Sequence, residues 1–409
     1  MWLMSARPAW IWQQPDWPVL GYDPQATAVD LSLALRWTGI VEGKAAAIGL
    51  QDSLPLVLDA YAEEALATAR MEGQALPPDA VRSSVLRHLG LSQQGPVDRH
   101  ADGLVAVLAD ATQAPGEPLT EDRLCRWQAA LFPTGLSGLQ RIAVGRYRDH
   151  ADPMQIVSGM PGRETVHYEA PPSRDVRRHM GAFLDWFAAT NPAASPIGNP
   201  DNAAPRETTD GISRAAIAHL WFESIHPFED GNGRLGRAVV DLAMAQYLHS
   251  GHGTSLRLVS LSTQWMRHRT AYYDALNEAQ RGTGDVTGWV SWFAQQWTQA
   301  CQTASKVMDQ AVLKQRFWQT HASSVLQPRQ RKVLQRLLDD GDGGFLGGLN
   351  ADKYMKMTKV SKATATRDLA LMVAAGQLRS QGKGRAVRYL VNVPEWLHGA
   401  ERTQARRSG

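Results

Sequence analysis

The sequence predicts a mostly α-helical chain with one short β-hairpin and a small C-terminal helix–turn–helix domain that carries a hairpin wing. Three observations predict it. Apolar residues recur at helical spacing over much of the first 325 positions. One pair of short β-type runs, Met154 to Ser158 and Arg163 to Tyr168, flanks Gly159-Met160-Pro161-Gly162. The charge balance shifts near Leu326: from there to the end stand 16 Lys/Arg against 7 Asp/Glu, a net +9, whereas the preceding 325 residues carry −6. A basic segment on an acidic body points toward nucleic acid as a partner of that segment.

The elements follow in order. Trp2, Trp10, Trp12 and Trp17 crowd the N-terminus with prolines between them, which suits an extended segment laid over a core. Helical spacing runs from about Asp30 to Leu89, punctuated by Gly73 and Leu76-Pro77-Pro78. No element is assigned between 90 and 119. Helices are expected from Thr120 to Leu131 and from Ser173 to Ala189, then a Pro- and Asn-rich loop from Asn191 to Thr209. Further helices are expected over Gly211–Ile225, Leu235–His249, Gln264–Arg281 and Thr287 to Ser323. In the tail, Val333 to Leu338 reads as helix. Asp352 to Thr358 and Lys362 to Ala375 read as helix–turn–helix with Ser361 as N-cap, and Gln377 to Val391 as the wing.

Composition narrows the class. The 409 residues, 44% hydrophobic and 20% charged, suit two or three globular domains and exclude a disordered polymer. Cys125 and Cys301 are the only cysteines, which excludes a disulfide framework and fits a reducing cytosol. No apolar run approaches the ~18 residues of a membrane span, and Arg7 and Pro8 interrupt any signal-like core. The expectation is a cytoplasmic protein with no membrane partner.

The chemistry concentrates in His226-Pro-Phe-Glu-Asp-Gly-Asn-Gly-Arg-Leu-Gly-Arg237. Pro227 removes His226 from the α region, so a helix ends there with an imidazole at a loop mouth. Asp230, Gly231, Asn232 and Gly233 are expected to form a tight turn that feeds the next helix. A Gly-rich turn at a helix N-terminus binds anions through its N–H groups and the helix dipole. Arg234 and Arg237, three apart, add two permanent cations on one face. Asp230 offers a hard oxygen suited to Mg²⁺. A neutral imidazole, a phosphate cradle and a metal carboxylate make a phosphoryl- or nucleotidyl-transfer site. Gly231-x-Gly233-x-x-Gly236 also matches a dinucleotide fingerprint, but a helix precedes it and residues 251–261 hold no acid, so that reading fails.

His-Pro-Phe-x-Asp-Gly-Asn-Gly-Arg-x-x-Arg is the signature that the Fic family carries, and this sequence resembles it at every specified position. The resemblance implies transfer of AMP from ATP to a protein hydroxyl, possible on Tyr, Ser or Thr of a target or of the chain itself, with Mg²⁺ as cofactor. It implies His226 as general base, Phe228 as loop anchor and Asp230 as the Mg²⁺ ligand. It further implies that Gly231, Asn232, Gly233, Arg234, Gly236 and Arg237 hold ATP phosphates, with Gly233 leaving the α-phosphate as the one attacked. The hairpin is similar to the family's flap, so Gln155, Ile156, Val157, Ser158 and Gly159 would receive the target. Arg269-x-x-Tyr272-Tyr273-x-x-Leu276, with Gln280, resembles the adenosine-side helix. Thr68-Ala-Arg-Met-Glu72-Gly73 resembles the family's inhibitory motif, in which Glu72 would pair with Arg237. Two other readings stay open: hydrolytic removal of AMP with Glu72 positioning water, and an ATP-sensing DNA-binding regulator. A homodimer is also left open.

The tail looks like a winged helix. Lys359, Lys362, Thr364, Thr366 and Arg367 would face a major groove, and Lys383 and Arg385 a phosphate backbone, so DNA is the expected partner, with a protein partner as the alternative that winged helices also serve. The expected organisation is an N-terminal helical region over 1–115, a catalytic domain over 116–300 and a helical linker over 301–327. A winged-helix domain over 328–395 and a basic tail over 396–409 complete it.

Overall fold

The structure, a computed structural model, describes residues 10–396 except 49, 159–162, 164, 193–209, 250–257, 342–344 and 346–347. Trp2, Gly159, the loop after Asn191 and the basic tail beyond Trp396 therefore lie outside the described residues, as do the side chains of Ser158 and Arg385. Among the described residues the chain is mostly α-helical, with fourteen α-helices and three two-stranded antiparallel ribbons. No helix among them is long and apolar enough to cross a membrane. The chain divides into two compact units, one up to Ser305 and one from Lys306. The boundary expected at 115/116 falls inside the first unit, where α4 (Arg99–Gln113) packs on α8 (Asn232–His249).

The first unit is built around α7 (Gly211–Ile225), whose fifteen residues are all buried. It runs antiparallel to α8, and the two helices approach closely at both ends. A Cβ at Gly211 would stand 2.2 Å from the Tyr247 ring, and one at Gly236 would stand 2.3 Å from Glu223 Oε1. Only glycine permits that spacing. Around the pair lie α1 (Pro24–Ile48), α2 (Leu50–Met71), α3 (Pro78–His88), α4, α5 (Glu121–Leu131) and α6 (Ser173–Ala189). Helix α4 was unassigned from sequence, although Asp98 caps its N-terminus and Leu104, Val105, Val107, Leu108 and Ala111 form its buried stripe.

The segment expected as one helix over 264–281 is two, α9 (Leu261–Arg267) and α10 (Arg269–Arg281), broken at His268 with φ −120° and ψ 40°. The expected flap is β3 (Gln155–Ser158) paired with β4 (Thr165–Glu169), with a bulge between Ile156 and Val157. A second small hairpin, β1 (Leu136–Ser137) with β2 (Gln140–Arg141), was not foreseen. The tryptophan-rich segment braces the flap: Trp12 Nε1 donates to Glu169 O at 2.7 Å, and the Trp10 ring meets Tyr168 edge-on at 5.2 Å.

Helix α11 (Thr287–Thr320) runs from the first unit into the second, through the expected linker. In the second unit α12 (Pro328–Asp339), α13 (Ala351–Thr358) and α14 (Lys362–Ala374) precede a ribbon of β5 (Leu378–Gln381) and β6 (Arg388–Val391). Val333, Leu337, Tyr354, Leu369 and Met372 form its core. Asp368, buried there, accepts from Arg329 at 2.7 Å and from the Tyr354 hydroxyl at 2.9 Å.

Candidate active site

Helix α7 ends at His226, which adopts the left-handed conformation (φ 51°, ψ 60°). Pro227 does exclude the α region, but the residue moves to αL instead of the extended backbone that usually precedes proline. Left-handed backbone is costly for a residue with a Cβ, so neighbours must hold it. Arg148 does so. Its Nε donates to His226 O at 2.8 Å, and Nη2 donates to Ile225 O at 3.2 Å and Pro171 O at 2.6 Å. Nη1 donates to Ser173 Oγ at 2.9 Å. A buried guanidinium thus serves the orphan carbonyls of a helix C-terminus, where the dipole favours a cation.

The imidazole is mostly enclosed. Burial, with the Arg148 charge second, pushes the His226 pKa down to about 4, so the ring is neutral near pH 7. A hydrogen bond with the Glu223 backbone acts the other way. Nδ1 lies on the Glu223 side of the ring, 3.8 Å from its carboxyl, which leaves Nε2 as the nitrogen to accept a proton.

The loop that follows is clasped from within. Phe228 is fully buried and packs on the Tyr147 ring at 5.3 Å. Its N–H donates to Asn232 Oδ1 at 2.9 Å, and Asn232 Nδ2 donates to Phe228 O at 2.8 Å. The Asn232 side chain is therefore engaged on the loop through Oδ1 and one of its two Nδ2 hydrogens. Helix α8 begins at Asn232, three residues earlier than expected, so only Asp230 and Gly231 (φ 92°) make the turn. The first-turn N–H groups of Asn232, Gly233 and Arg234 have no intrahelical acceptor, so the donors an anion site would need stand where the sequence expected them. Gly236 is not part of it; it packs under α7 against Glu223 and His219.

A carboxylate already stands at that site. Helix α2 closes with the Gln74 N–H on Ala69 O at 2.9 Å and the Gly73 N–H on Arg70 O at 3.0 Å, with Gly73 at φ 72°. This cap aims Glu72 across to α8. Arg237 Nη2 donates to Glu72 Oε1 at 2.6 Å and to Thr68 O at 3.1 Å, and its Nε donates to Thr68 Oγ1 at 2.5 Å. A Cβ on Gly233 would lie 2.3 Å from Glu72 Oε1. The carboxylate therefore rests against the α8 N-terminus, where the dipole favours it. Burial works against its charge, but Arg237 outweighs that and holds the Glu72 pKa below its usual range. Arg237 is in turn raised above its ordinary value: burial opposes its charge, and Glu72 prevails.

Arg234 donates to Gln74 Oε1 at 3.0 Å and lies over the Phe132 ring at 4.8 Å. Asp230 Oδ1 accepts the Gly231 N–H at 2.5 Å, and Oδ2 accepts the Ser137 hydroxyl. Its side chain remains 41% exposed. Among the described residues no three His, Cys, Asp or Glu side chains cluster as a metal site. One accessible hard carboxylate beside an anion cradle suits a cation that arrives with phosphates, the usual behaviour of Mg²⁺.

A cavity of about 520 Å³ opens beside His226 and Arg237; Asp230 and Arg234 are not among the residues that line it. His226, Gly233, Arg237, Glu223 and Glu72 line one part, Tyr272, Tyr273, Asn277 and Gln280 of α10 another, and Ile156 and Val157 of the flap a third. That volume suits a small-molecule ligand. Tyr272 is buried, its hydroxyl bonded to His219 Nε2 at 2.9 Å, whereas Tyr273 is 37% exposed under Arg269. Sequence reasoning missed Arg148, Glu223 and Asn277. Glu223 could have been found as the only acid in its helix, three residues before His226; Asn277 lies one turn from Tyr273, on the face already suspected; Arg148 carries no pattern at all. Gln155 and Ser158 pair across the ribbon with Glu169 and Thr165.

Comparison with known proteins agrees with this geometry. Residues 118–244 match the Fic/DOC family, and residues 10–91 match a domain of unknown function, DUF4172. The chain is 28% identical over 138 residues to the protein adenylyltransferase Fic of Nematostella vectensis, covering 34% of this chain and 27% of that one. It is 26% identical over 132 residues to a uridine 5'-monophosphate transferase of Xanthomonas campestris, covering 32% and 22%. The alignments thus span about a quarter of these relatives' own length. A solved Fic family protein from Desulfovibrio desulfuricans aligns over 88% of this chain and 95% of its own, at 18% identity and a TM-score of 0.46. The segment that matches the Fic/DOC family, residues 118–244, holds His226, the loop after it and the α8 N-terminus just described.

Proposed function

We propose that the chain is a protein adenylyltransferase, moving AMP from ATP to a protein hydroxyl and releasing pyrophosphate, and that Glu72 restrains it. The observation that carries the reading is the shared cavity: a neutral imidazole, a helix N-terminus with its arginine, and the aromatic face of α10 line one space of nucleotide size. In the reaction, His226 Nε2 accepts the hydroxyl proton as the oxygen bonds the α-phosphorus and the bond to the β-phosphate oxygen breaks. The N–H groups at Gly233 and Arg234 and the Arg237 guanidinium face the phosphates. Mg²⁺ held at Asp230 would supply charge neutralisation for the leaving pyrophosphate. Ile156 and Val157 sit on a strand whose outer edge is unpaired among the described residues, a platform for an extended target segment.

Glu72 and the ATP γ-phosphate compete for one guanidinium fork. Incubating the full chain and a cell lysate with ATP radiolabelled at the α-phosphate tests the reading: label should enter protein, and label at the γ-phosphate should not. One observation favours a second reading. Glu72 lines the same cavity as His226, so its carboxylate has access to a water that could remove AMP. AMP release from a modified target would reveal it.

For the second unit, the reading is a winged helix that binds DNA. Lys362, Thr366 and Arg367 are exposed on α14, opposite buried Ala365, Asp368 and Leu369. Lys359 and Lys383 are exposed as well, whereas Thr364 is half-buried with its hydroxyl on Ser361 at 3.0 Å. Binding to mixed genomic fragments should fall steeply with salt and weaken further in Lys362→Glu/Arg367→Glu. No binding at low salt would end this part of the reading.

A further inference from the structure

The mechanism so far leaves one buried acid unused. Glu223 is the only carboxylic acid on α7 and is 5% exposed. Its Oε1 is enclosed without a hydrogen-bond partner, and buried polar atoms seldom go unpaired without a reason. Its Oε2 lies 3.8 Å from His226 Nδ1, because the left-handed turn at His226 folds the ring back along the helix. Helix α8 closes over the carboxyl at Gly236 and excludes water from that side. Glu223 also lines the nucleotide-sized cavity.

We propose that Glu223 is a positioning residue for His226: its carboxyl stands on the Nδ1 side of the ring and stabilises the imidazolium that forms as Nε2 takes the target proton. This rests on the adenylyltransferase reading. The proton itself stays on the imidazole; the Glu223 carboxyl faces the Nδ1 side as a charge and receives nothing covalently. At 3.8 Å the carboxyl is beyond a hydrogen bond but close enough for its charge to act on the ring.

The groups that face this carboxyl set when it is charged. Arg237 faces it from α8, Glu72 from the end of α2, Tyr272 from α10 and Tyr168 from β4, with His219 and His226 on its own helix. Burial, the strongest influence, pushes Glu223 up to about 8, with Arg237 opposing and Glu72 adding. The carboxyl is then neutral at pH 7 and gains its charge between pH 7 and 9. Imidazolium stabilisation should grow over that interval, and transfer should speed up with it.

Two measurements on the full chain test this. In an NMR titration of labelled histidines, the His226 ring should show a second inflection near pH 8, absent in Glu223→Gln and retained at smaller amplitude in Glu223→Asp. In the rate of AMP incorporation with saturating ATP and Mg²⁺, the parent should rise about tenfold from pH 7 to 9 and Glu223→Gln should stay flat. Parent and Gln profiles that superimpose, or a parent ring with no inflection between pH 7 and 9, would overturn the proposal. If no AMP is incorporated at any pH, the adenylyltransferase reading fails, while the NMR titration still decides whether Glu223 and His226 are coupled.

Discussion

Two buried arginines, each 2% exposed, meet at this site from opposite sides and are used in opposite ways. Arg148, at the C-terminus of α7, is surrounded by backbone carbonyls and a hydroxyl, with no carboxylate among its hydrogen-bond partners. Arg237, in the first turns of α8, holds a carboxylate delivered by a different helix. The first arrangement is anchored in a fully buried helix: moving the Ile225 or His226 carbonyl means unwinding its end. The second has an exchangeable component, because Glu72 is 33% exposed and sits on a helix cap instead of inside a core. Fixed chemistry therefore belongs to the base side and adjustable chemistry to the phosphate side.

The largest expected effect tests the base side. His226→Ala should lower AMP incorporation by about 10²–10⁴-fold, the usual cost of losing a general base, while calorimetry shows ATP affinity largely kept. Activity within a few-fold of the parent would take His226 out of the mechanism.

Next comes the phosphate side. Glu72→Gly should raise incorporation on the order of 10²-fold at unchanged ATP concentration, the scale that a misplacement of about 1 Å commands. Adding Arg237→Ala should erase the gain, since the freed partner is then missing. Acid offers no substitute for the mutation near neutrality. Because the Glu72 pKa is held below its usual range, the ion pair persists above that range and loosens only as pH falls through the lowered value. Release of the brake between pH 5.5 and 8 in the parent would contradict this.

Arg148→Gln should act through His226. Without the guanidinium charge the His226 pKa moves up from about 4, with burial, the larger cause, still holding it below its ordinary value, so the acid limb of the rate profile shifts to higher pH. The variant should also lose about 2–3 kcal/mol of stability as carbonyls go unserved, measurable by denaturant unfolding. An unshifted acid limb would limit Arg148 to a structural clamp.

The smallest effect concerns the brace beneath the flap. Trp12→Phe removes the 2.7 Å bond to Glu169 O and should cost about 1 kcal/mol. Hydrogen exchange should quicken in Thr165–Glu169 and not in α7. Uniform change across the unit would mean the tryptophan segment serves the core at large.

The sequence was most readable where local chemistry dictates backbone. Pro227 fixed the end of α7, Gly73 the cap of α2, and Gly159-Met160-Pro161-Gly162 the position of the hairpin. Glu72 and Arg237 were legible as partners only through the family's motif, since 165 residues separate them and no periodicity spans that distance. What stayed hidden was tertiary. Asn232 reads as a loop residue with a free amide, but the burial of Phe228 turns it inward to serve that residue's backbone. Gly236 reads as part of a phosphate turn, yet it is there because α7 needs the space. Arg148 emerges only once the orphan carbonyls of α7 are in place.

The most direct test of the central claim is a paired one: the parent chain and Glu72→Gly, each incubated with Mg²⁺, lysate and ATP labelled at the α- or the γ-phosphate. The account predicts protein-bound α-label in both, far more in Glu72→Gly, and γ-label in neither. Equal α-label in the two chains would contradict the brake. Protein-bound γ-label, or no label in Glu72→Gly, would contradict adenylyl transfer itself.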